Sequence, residues 1–369
     1  MRSKLMKIHT WLAVAASCTA LLVAAAPGSA EAAKKAKPTP AKKAKPTPAK
    51  KFKTAPLPAG VEVGWSHAPF EMGECSICHA NSDPKNPGPI NAKPNELCLN
   101  CHEQIGEIME QRAVKHGAAL ESCVGCHNPH NAKERMLLYT SPAKTCLNCH
   151  EDIGKIIKES KVQHDSVTAE KACLNCHNPH ASNVENLLVQ LPFDLCVNCH
   201  GKDDMKASDG KAMTNFLKLL KDNPVHHDPV AEKDCSACHK PHGSEQFRLL
   251  REDYPGKFYA DYDPTNYKLC YGCHNDQIMD KPNTTTLTKF RDGDRNLHFV
   301  HVNKADRGRT CRACHEVHAS KEKHQIREGV PYGKSGWVLK VNYEQTPTGG
   351  RCAKTCHTAK EYVNGVGSK

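Results

Sequence analysis

One short motif recurs so often that it constrains any fold this chain can adopt. Twenty of its 21 cysteines fall into ten pairs, and a histidine directly follows each pair. Nine pairs have the spacing C-x-x-C-H, whereas the tenth, Cys352 to His357, has one additional residue between its cysteines. The remaining cysteine, Cys18, lies in an N-terminal apolar segment. The structure must therefore accommodate ten copies of this motif.

The spacing C-x-x-C-H is the attachment signature of c-type haem. Two thiols form thioethers with the porphyrin, and the histidine binds the iron from one face. We predict ten haem c groups, with the unusual Cys352 site either matured normally or left without haem. The predicted attachment residues are Cys75, Cys78, Cys98, Cys101, Cys123, Cys126, Cys146, Cys149, Cys173, Cys176, Cys196, Cys199, Cys235, Cys238, Cys270, Cys273, Cys311, Cys314, Cys352 and Cys356. The predicted proximal iron ligands are His79, His102, His127, His150, His177, His200, His239, His274, His315 and His357.

A second histidine on each iron would close the position at which ligand chemistry takes place. Twelve histidines outside the motifs and the N-terminal segment are candidates for this distal position. They are His67, His116, His130, His164, His180, His226, His227, His242, His298, His301, His318 and His324. The chain therefore has enough histidines for ten bis-histidine haems. No catalytic residue is predicted.

The motifs are arranged in five units of two. We place the units at about 61–112, 113–160, 161–215, 216–290 and 291–369. Each unit has an upstream histidine, a first motif, usually a histidine three residues later (C-H-x-x-H), and a second motif. First and second motifs begin 23 residues apart in units 1 to 3, and 35 and 41 residues apart in units 4 and 5. Such repetition is typical of architectures in which each unit contacts mainly its neighbours.

Spacing restricts which histidine can serve which haem. His127 and His130 are three residues apart, so on a helical turn they point to the same side and cannot bind opposite faces of one porphyrin. We expect upstream histidines to serve the first haem of each unit, with His116 at the Cys123 haem. The C-H-x-x-H histidines would then serve the second haem. Because Ser82 replaces that histidine in unit 1, the Cys98 haem would need a ligand from elsewhere, such as a spare histidine of unit 4 or 5.

Composition favours a fold whose interior is largely cofactor. Hydrophobic residues make up 38% and aromatic residues 5% of the chain, which is little for a side-chain core of this size. We predict a multihaem cytochrome c fold, mostly coil with short α-helices wrapped around a row of haems, and little β-structure. Helices are expected within 98–116 and 146–164, which align without gaps, and a short strand pair within 336–343.

The first 60 residues differ in character from the rest. Residues 1–30 have the charged start, apolar centre and small residues of a secretory signal peptide, and 31–60 form a Lys/Ala/Pro-rich linker. Residues 1–57 hold 12 basic residues and one acidic residue, which accounts for the net charge of +11 and leaves 39 of each sign in the remainder. Binding to nucleic acid requires basic residues on the folded domain, so it is not expected. We expect the protein to be exported to the periplasm, with outer-membrane or extracellular placement as the alternative. The basic tail would contact membrane or cell wall.

Three segments carry a resemblance to a known family. They read CHNPHNAKERMLL (126–138), CHNPHASNVENLL (176–188) and CHKPHGSEQFRLL (238–250), and each precedes a second motif. In this the chain resembles the doubled-CxxCH multihaem c-type cytochromes, and is similar to the periplasmic decahaem cytochromes of metal-reducing bacteria. The resemblance implies electron transfer along bis-histidine haems rather than enzymatic activity. It implies redox-partner cytochromes or a quinol-oxidising membrane complex as partners, together with an outer-membrane porin and extracellular electron acceptors.

Other uses of the motif are weaker or remain open. Zinc sites and disulfides also use cysteine pairs, but neither requires a histidine after every pair. A multihaem reductase would keep one haem open and often replaces the motif histidine by lysine, and no C-x-x-C-K occurs here. A subunit of an extracellular cytochrome filament is the second alternative, and such subunits can share ligands between chains.

Overall fold

Short helices and very short strands alternate with coil throughout the chain. The computed structural model describes residues 64–331, 337–352 and 356–365. Its α-helices are α1 (Ala68–Glu71), α2 (Pro94–Leu99), α3 (Glu103–Gln111), α4 (Gly117–Glu121), α5 (Pro142–Leu147), α6 (Glu151–Glu159), α7 (Asp165–Thr168), α8 (Pro192–His200), α9 (Phe216–Asp222), α10 (Asp228–Ala231), α11 (Lys268–Tyr271), α12 (Gln277–Asp280) and α13 (Leu297–Val302). Among these helices, none combines the length and apolar character that a membrane crossing needs.

The strands have two to four residues each. They are β1 (Trp65–Ser66), β2 (Val114–Lys115), β3 (Asn131–Ala132), β4 (Val162–Gln163), β5 (Ala181–Ser182), β6 (Val225–His226), β7 (Gly243–Ser244), β8 (Arg291–Asp292), β9 (Arg295–Asn296), β10 (Ala319–Ser320), β11 (Gly329–Pro331), β12 (Val338–Lys340), β13 (Tyr343–Thr346), β14 (Gly349–Cys352) and β15 (Lys360–Val363). The fold is mostly coil with short helices and little sheet, which confirms the predicted fold class. The predicted signal peptide and linker, 1–30 and 31–60, lie outside the described residues.

Helices α3 and α6 form where the sequence predicts them. Each begins directly after a motif histidine and has isoleucines three residues apart in a segment of Glu, Lys and Gln. Each ends at a residue with extended backbone, Arg112 or Ser160, and a strand follows. The helix after His102 therefore stops at Gln111 and does not reach His116. The upstream histidine of the next unit instead follows the short strand β2 or β4.

Antiparallel strand pairs join each unit to the next. Strand β1 pairs with β3, β2 with β5, β4 with β7, and β6 with β10. In each pair, the first strand precedes or includes the upstream histidines of one unit, and the second directly follows the C-H-x-x-H sequence of the next unit. The same backbone link continues into the histidines, because the amide of His67 donates to the carbonyl of His130 at 2.8 Å. Two strand residues on each side thus bring two histidines together that lie about 60 residues apart or more.

A tight left-handed turn follows each first motif of units 2 to 5. Two consecutive residues there have positive φ, as in Met136 at 57° and Leu137 at 55°. The other pairs are Asn186–Leu187, Arg248–Leu249 and His324–Gln325. In unit 1 the first of these positions is taken by Gly88, with φ of 71°, for which this conformation carries no steric cost. The repeated geometry shows that the five first motifs share one local fold.

Side chains form a core mainly in the C-terminal part of the described chain. Leu250, Tyr254, Tyr267 and Val302 pack into one buried cluster. No described residue before Met109 is buried. A strand pair was expected within 336–343, of which residue 336 lies outside the described ranges. One strand, β12, forms there, but its partner β11 precedes that segment. The three-stranded sheet β13–β14–β15 was not predicted.

Candidate haem-binding site

One continuous cavity of about 4100 Å³ runs through the described chain. Its lining extends from His67 to Asn364 and includes all twenty motif cysteines and all ten motif histidines. Of the twelve candidate distal histidines, only His226 does not line it. The predicted attachment and ligand residues of all five units therefore face a single shared space.

Inside this cavity, nine motif histidines each face a second histidine. The ring centroids are 6.0–6.4 Å apart and the ring planes are within 10–28° of parallel. The pairs are His67–His102, His79–His130, His116–His150, His127–His180, His164–His200, His177–His242, His227–His274, His239–His318 and His298–His315.

This separation fits a metal ion between two imidazoles. A metal ion bonds an imidazole nitrogen at about 2.0 Å, so an ion between two rings sets the bound nitrogens about 4 Å apart and the ring centres about 6 Å apart. Within the described ranges, no group of three or more metal-ligating side chains occurs that would form a zinc-type site. Two histidines and a cavity lined by attachment cysteines match the donor set of a bis-histidine haem c.

The ring pairs contradict the predicted assignment of distal histidines to the two haems of each unit. His116 faces His150, the histidine of the second motif in its unit, and not the first motif at Cys123. His67, His164 and His227 likewise face the second motif of their units. The prediction that upstream histidines serve the first haem is wrong for units 1 to 4. The helix between motifs ends before the upstream histidine, so the helical distance used for the prediction does not apply.

The C-H-x-x-H histidines reach back to the preceding unit. His130 faces His79 of unit 1, and His180 faces His127 of unit 2. The expectation that His130 and His127 face different partners is confirmed, but the expected partner, the second motif of the same unit, is wrong. The strand pairs between units produce this arrangement, because they place the residue after each C-H-x-x-H beside the preceding unit.

The same relation explains why unit 1 has Ser82 at this position. A C-H-x-x-H histidine serves the preceding unit, and unit 1 is the first in the array. The expectation that the Cys98 motif needs a ligand from unit 4 or 5 is wrong, because its histidine, His102, already faces His67.

In unit 5, one helix carries both histidines that lie upstream of the first motif. Both His298 and His301 lie on α13, three residues apart. His298 faces His315 of the first motif. Burial chiefly lowers the pKa of His301, and the charge of nearby His357 adds to this effect. The His301 Nδ1 donates to the carbonyl of Leu297 at 2.7 Å, which leaves Nε2 available towards the second motif.

The structure separates His226 and His324 from the other ten candidates. The His226 Nε2 donates to the carbonyl of Leu220 at 3.0 Å, whereas His227 lines the cavity and faces His274. The backbone carbonyl of His324 accepts a hydrogen bond from His315, and no ring pair among the described residues includes His324. Ten distal candidates therefore remain for ten motifs.

Backbone carbonyls orient the first-motif histidines. The Nδ1 atoms of His79, His127 and His177 donate to the carbonyls of Gly88, Met136 and Asn186 at 2.7–2.9 Å. The same contact occurs at His239 with Arg248 and at His315 with His324. Each acceptor lies nine residues after its histidine, in the left-handed turn. Donation from Nδ1 leaves Nε2 as the free lone pair for a metal. Sequence reasoning missed these acceptors, although the nine-residue spacing repeats in every unit.

Burial keeps several of the ring pairs in the neutral form that binds metal. It lowers the pKa of His130, His180 and His242 below the usual value. At His298, burial lowers the pKa to about 3. These imidazoles carry no proton on their second nitrogen at neutral pH and can act as ligands.

Cysteines of successive units lie in contact. The twenty motif cysteines form no disulfide among themselves. In four places the side chain of the first cysteine of a second motif lies next to that of the first cysteine of the next unit. These pairs are Cys98–Cys123, Cys146–Cys173, Cys196–Cys235 and Cys270–Cys311. Groups attached at these cysteines would therefore be neighbours across the boundaries between units.

Comparison with protein families identifies the repeated unit. Residues 67–107, 116–155, 164–205 and 227–279 match the doubled CXXCH motif. The chain is a doubled-CXXCH multihaem cytochrome c. These matches cover units 1 to 4, and unit 5 lies beyond them. No curated protein matches the chain. The cytochrome binds haem c through its C-x-x-C-H motifs, and its general activity is electron transfer.

Proposed function

We propose that this cytochrome carries ten haems, nearly all with two histidine ligands, and relays electrons along them. The histidine pairs carry this proposal. Nine motif histidines each face a second histidine at a distance that fits a shared iron, and His301 lies near the tenth, His357. When bound, each haem supplies one reversible electron-transfer centre. A row of closed irons favours relay over ligand chemistry.

The backbone links between units keep the proposed row continuous. Each pair formed by a C-H-x-x-H histidine and a first-motif histidine crosses a unit boundary. Each cysteine contact such as Cys98–Cys123 crosses the same boundary. Two different sets of residues therefore meet across every boundary between neighbouring units at the cavity. This arrangement would keep successive haems close enough for electrons to pass without any movement of the chain.

The ends of the array support a self-contained carrier over a filament subunit. At the start, unit 1 lacks a histidine that would reach back to another chain. At the end, β9 pairs with β8 of the same unit instead of with a following unit. The amide of Gly293 in this hairpin donates to the carbonyl of Val363 in β15 at 2.8 Å. Nine of the ten motif histidines face a second histidine of the same chain, and those nine need no ligand from a second copy.

We further propose that the cytochrome is exported and acts in the periplasm. The features of residues 1–30 support export, and c-type haem attachment fits that location. The proposed electron donors are redox-partner cytochromes or a quinol-oxidising membrane complex. The proposed acceptors lie at the outer membrane or beyond, reached through a porin. The lysine-rich segment 31–60 would contact membrane or cell wall.

The test combines haem content with axial-ligand spectroscopy on the purified full chain. Ten haems per polypeptide with low-spin ferric signals in electron paramagnetic resonance would support the proposal. A ratio of nine that stays at nine in a Cys352→Ala, Cys356→Ala variant would assign the missing haem to the Cys352 site. A substantial high-spin ferric signal would contradict the relay and favour a reductase. Electron microscopy of secreted material that showed filaments would contradict the self-contained carrier.

A further inference from the structure

The charges that line the cavity are distributed unequally along the row. Between His67 and Met205, the only charged lining residues are Glu74 and Asp165, and both are acidic. Seven cationic side chains line the cavity, and all lie after Met205. They are Lys206, Lys211, Arg248, Lys289, Arg291, Arg309 and Arg312. From Phe247 onward, five of these cations oppose a single lining carboxylate, Glu316. The C-terminal end of the cavity is thus the positive end.

The positive charge concentrates around the motif at Cys311–Cys314. Arg312 lies between its two cysteines, and the charge of Arg309 acts on Cys314. A third cation, Arg327, donates to the carbonyl of Arg312 at 3.0 Å and pairs with Glu316. Within the described chain, the Nε atoms of Arg312 and Arg327 are buried and have no hydrogen-bond partner. Three cations and one anion therefore surround this site.

Between the two cysteines of the first motif, unit 5 alone carries a charged residue. The residues between the cysteines of the first motif are Ser-Ile, Val-Gly, Leu-Asn and Ser-Ala in units 1 to 4, and Arg-Ala in unit 5. The position of Arg327 is occupied by Tyr139 in unit 2 and Val189 in unit 3. Unit 4 has Arg251 there, which donates to the carbonyl of Ser236 at 3.0 Å just as Arg327 donates to that of Arg312. Neither Arg251 nor Arg327 lines the cavity, so the contrast with unit 4 rests on Arg312, which does.

Burial is also greatest at this site. Thr310, which precedes Cys311, is 2% exposed, and Ala313, which precedes Cys314, is 3% exposed. At the first motif, in contrast, Ile77 is 46% exposed and Ile90, which pairs with His79, is 45% exposed. Charges act more strongly on a buried centre, because the surrounding dielectric is lower.

We propose that the cytochrome is electrically polarised, so that the haem held at Cys311–Cys314 is reduced at the highest potential and electrons collect at the C-terminal end. A ferric iron carries one more positive charge than a ferrous iron, so neighbouring cations and low dielectric both favour the reduced form. Each transfer moves one electron, oxidises one ferrous iron and reduces the next ferric iron, and no bond forms or breaks. Arg309, Arg312 and Arg327 act as tuning residues, not as ligands.

This inference rests on the proposed bis-histidine relay, and the test separates the two. His130→Gly and His298→Gly each remove the second histidine from one first-motif haem, at Cys75 and at Cys311 respectively. Each variant leaves that single iron high-spin, so a redox titration of the full haem-loaded chain followed by electron paramagnetic resonance reads one haem at a time. We expect the Cys311 label to be reduced with a one-electron equilibrium constant at least tenfold more favourable, or about 59 mV higher.

Charge is then changed without touching a ligand. Arg312→Gln, added to His298→Gly, should lower the potential of the labelled haem. Arg251→Gln is the matched control, because it removes an arginine of unit 4 that lies outside the cavity, and it should leave the label unchanged. In the chain with all its histidines, Arg312→Gln should likewise lower the potential at which the first haems are reduced in an absorbance titration. Arg251→Gln should leave that potential unchanged.

Equal potentials for the two labels, or earlier reduction of the Cys75 label, would overturn the polarity while leaving the relay intact. An unchanged potential in both Arg312→Gln backgrounds would overturn the role of the arginines. If neither histidine substitution produced a high-spin iron, the ligand assignment itself would fail, and the polarity with it.

Discussion

The first three units and the last two surround the cavity in different ways. Units 1 to 3 have equal motif spacings, no cationic lining residue before Lys206, and few buried side chains. Units 4 and 5 have longer spacings, and the longer spacing of unit 4 contains Tyr254 and Tyr267, which pack with Leu250 and Val302 in one buried cluster. The chain thus has a region whose interior must come from cofactor and a region that adds a side-chain core of its own. A short spacing suffices where the haems supply most of the buried surface.

The sharpest test of this difference removes a side chain from the C-terminal cluster. Tyr267 is completely buried, so Tyr267→Ala should lower the free energy of unfolding by about 3–5 kcal/mol, through lost burial and the cavity left behind. Urea unfolding of the haem-loaded chain, followed by circular dichroism, measures the change. Leu120→Ala is the control in unit 2, where Leu120 is 51% exposed, and should change stability by no more than about 0.5 kcal/mol. Equal losses for both variants would refute the contrast between regions.

A smaller and more local effect is expected from the histidines of unit 4. Units 1 to 3 have one upstream histidine each, whereas unit 4 has the adjacent pair His226 and His227. His227→Ala should open one haem in ten and produce a high-spin ferric signal, because His227 faces His274. His226→Ala should produce none, since this ring bonds to the Leu220 carbonyl. Electron paramagnetic resonance of the two variants decides the assignment, and a high-spin signal from His226→Ala would reverse it.

The smallest effect should follow from restoring the histidine that unit 1 lacks. Ser82 is exposed, and its unit has no preceding unit to serve. Ser82→His should therefore leave the low-spin spectrum unchanged and alter stability by no more than about 0.5 kcal/mol. Spectroscopy and urea unfolding of this variant check both statements. A shift in the signal of any haem would show that the position has a partner and that the array is not closed at its first unit.

Much of the site was predictable because covalent chemistry is local. The cysteine pairs and their histidines are contiguous in sequence. The expectation that His127 and His130 face different partners was right because they are only three residues apart, although 127–130 does not form the helical turn it assumed. The helices after His102 and His150 were predictable for the same reason, since their amphipathic pattern lies within nine residues. The partner of each distal histidine was not predictable, because it depends on strand pairs between residues about 60 positions apart or more, such as Trp65 with Ala132.

By itself, the sequence determined the cofactor class, the attachment residues, the two-motif unit and a fold with little sheet. These features depend on neighbouring residues and on composition, so no tertiary contact is needed to infer them. Only the tertiary structure decided that C-H-x-x-H histidines reach back one unit, and that His227 rather than His226 faces the cavity. Each of these depends on which distant segments meet, and short backbone pairings between units set that choice.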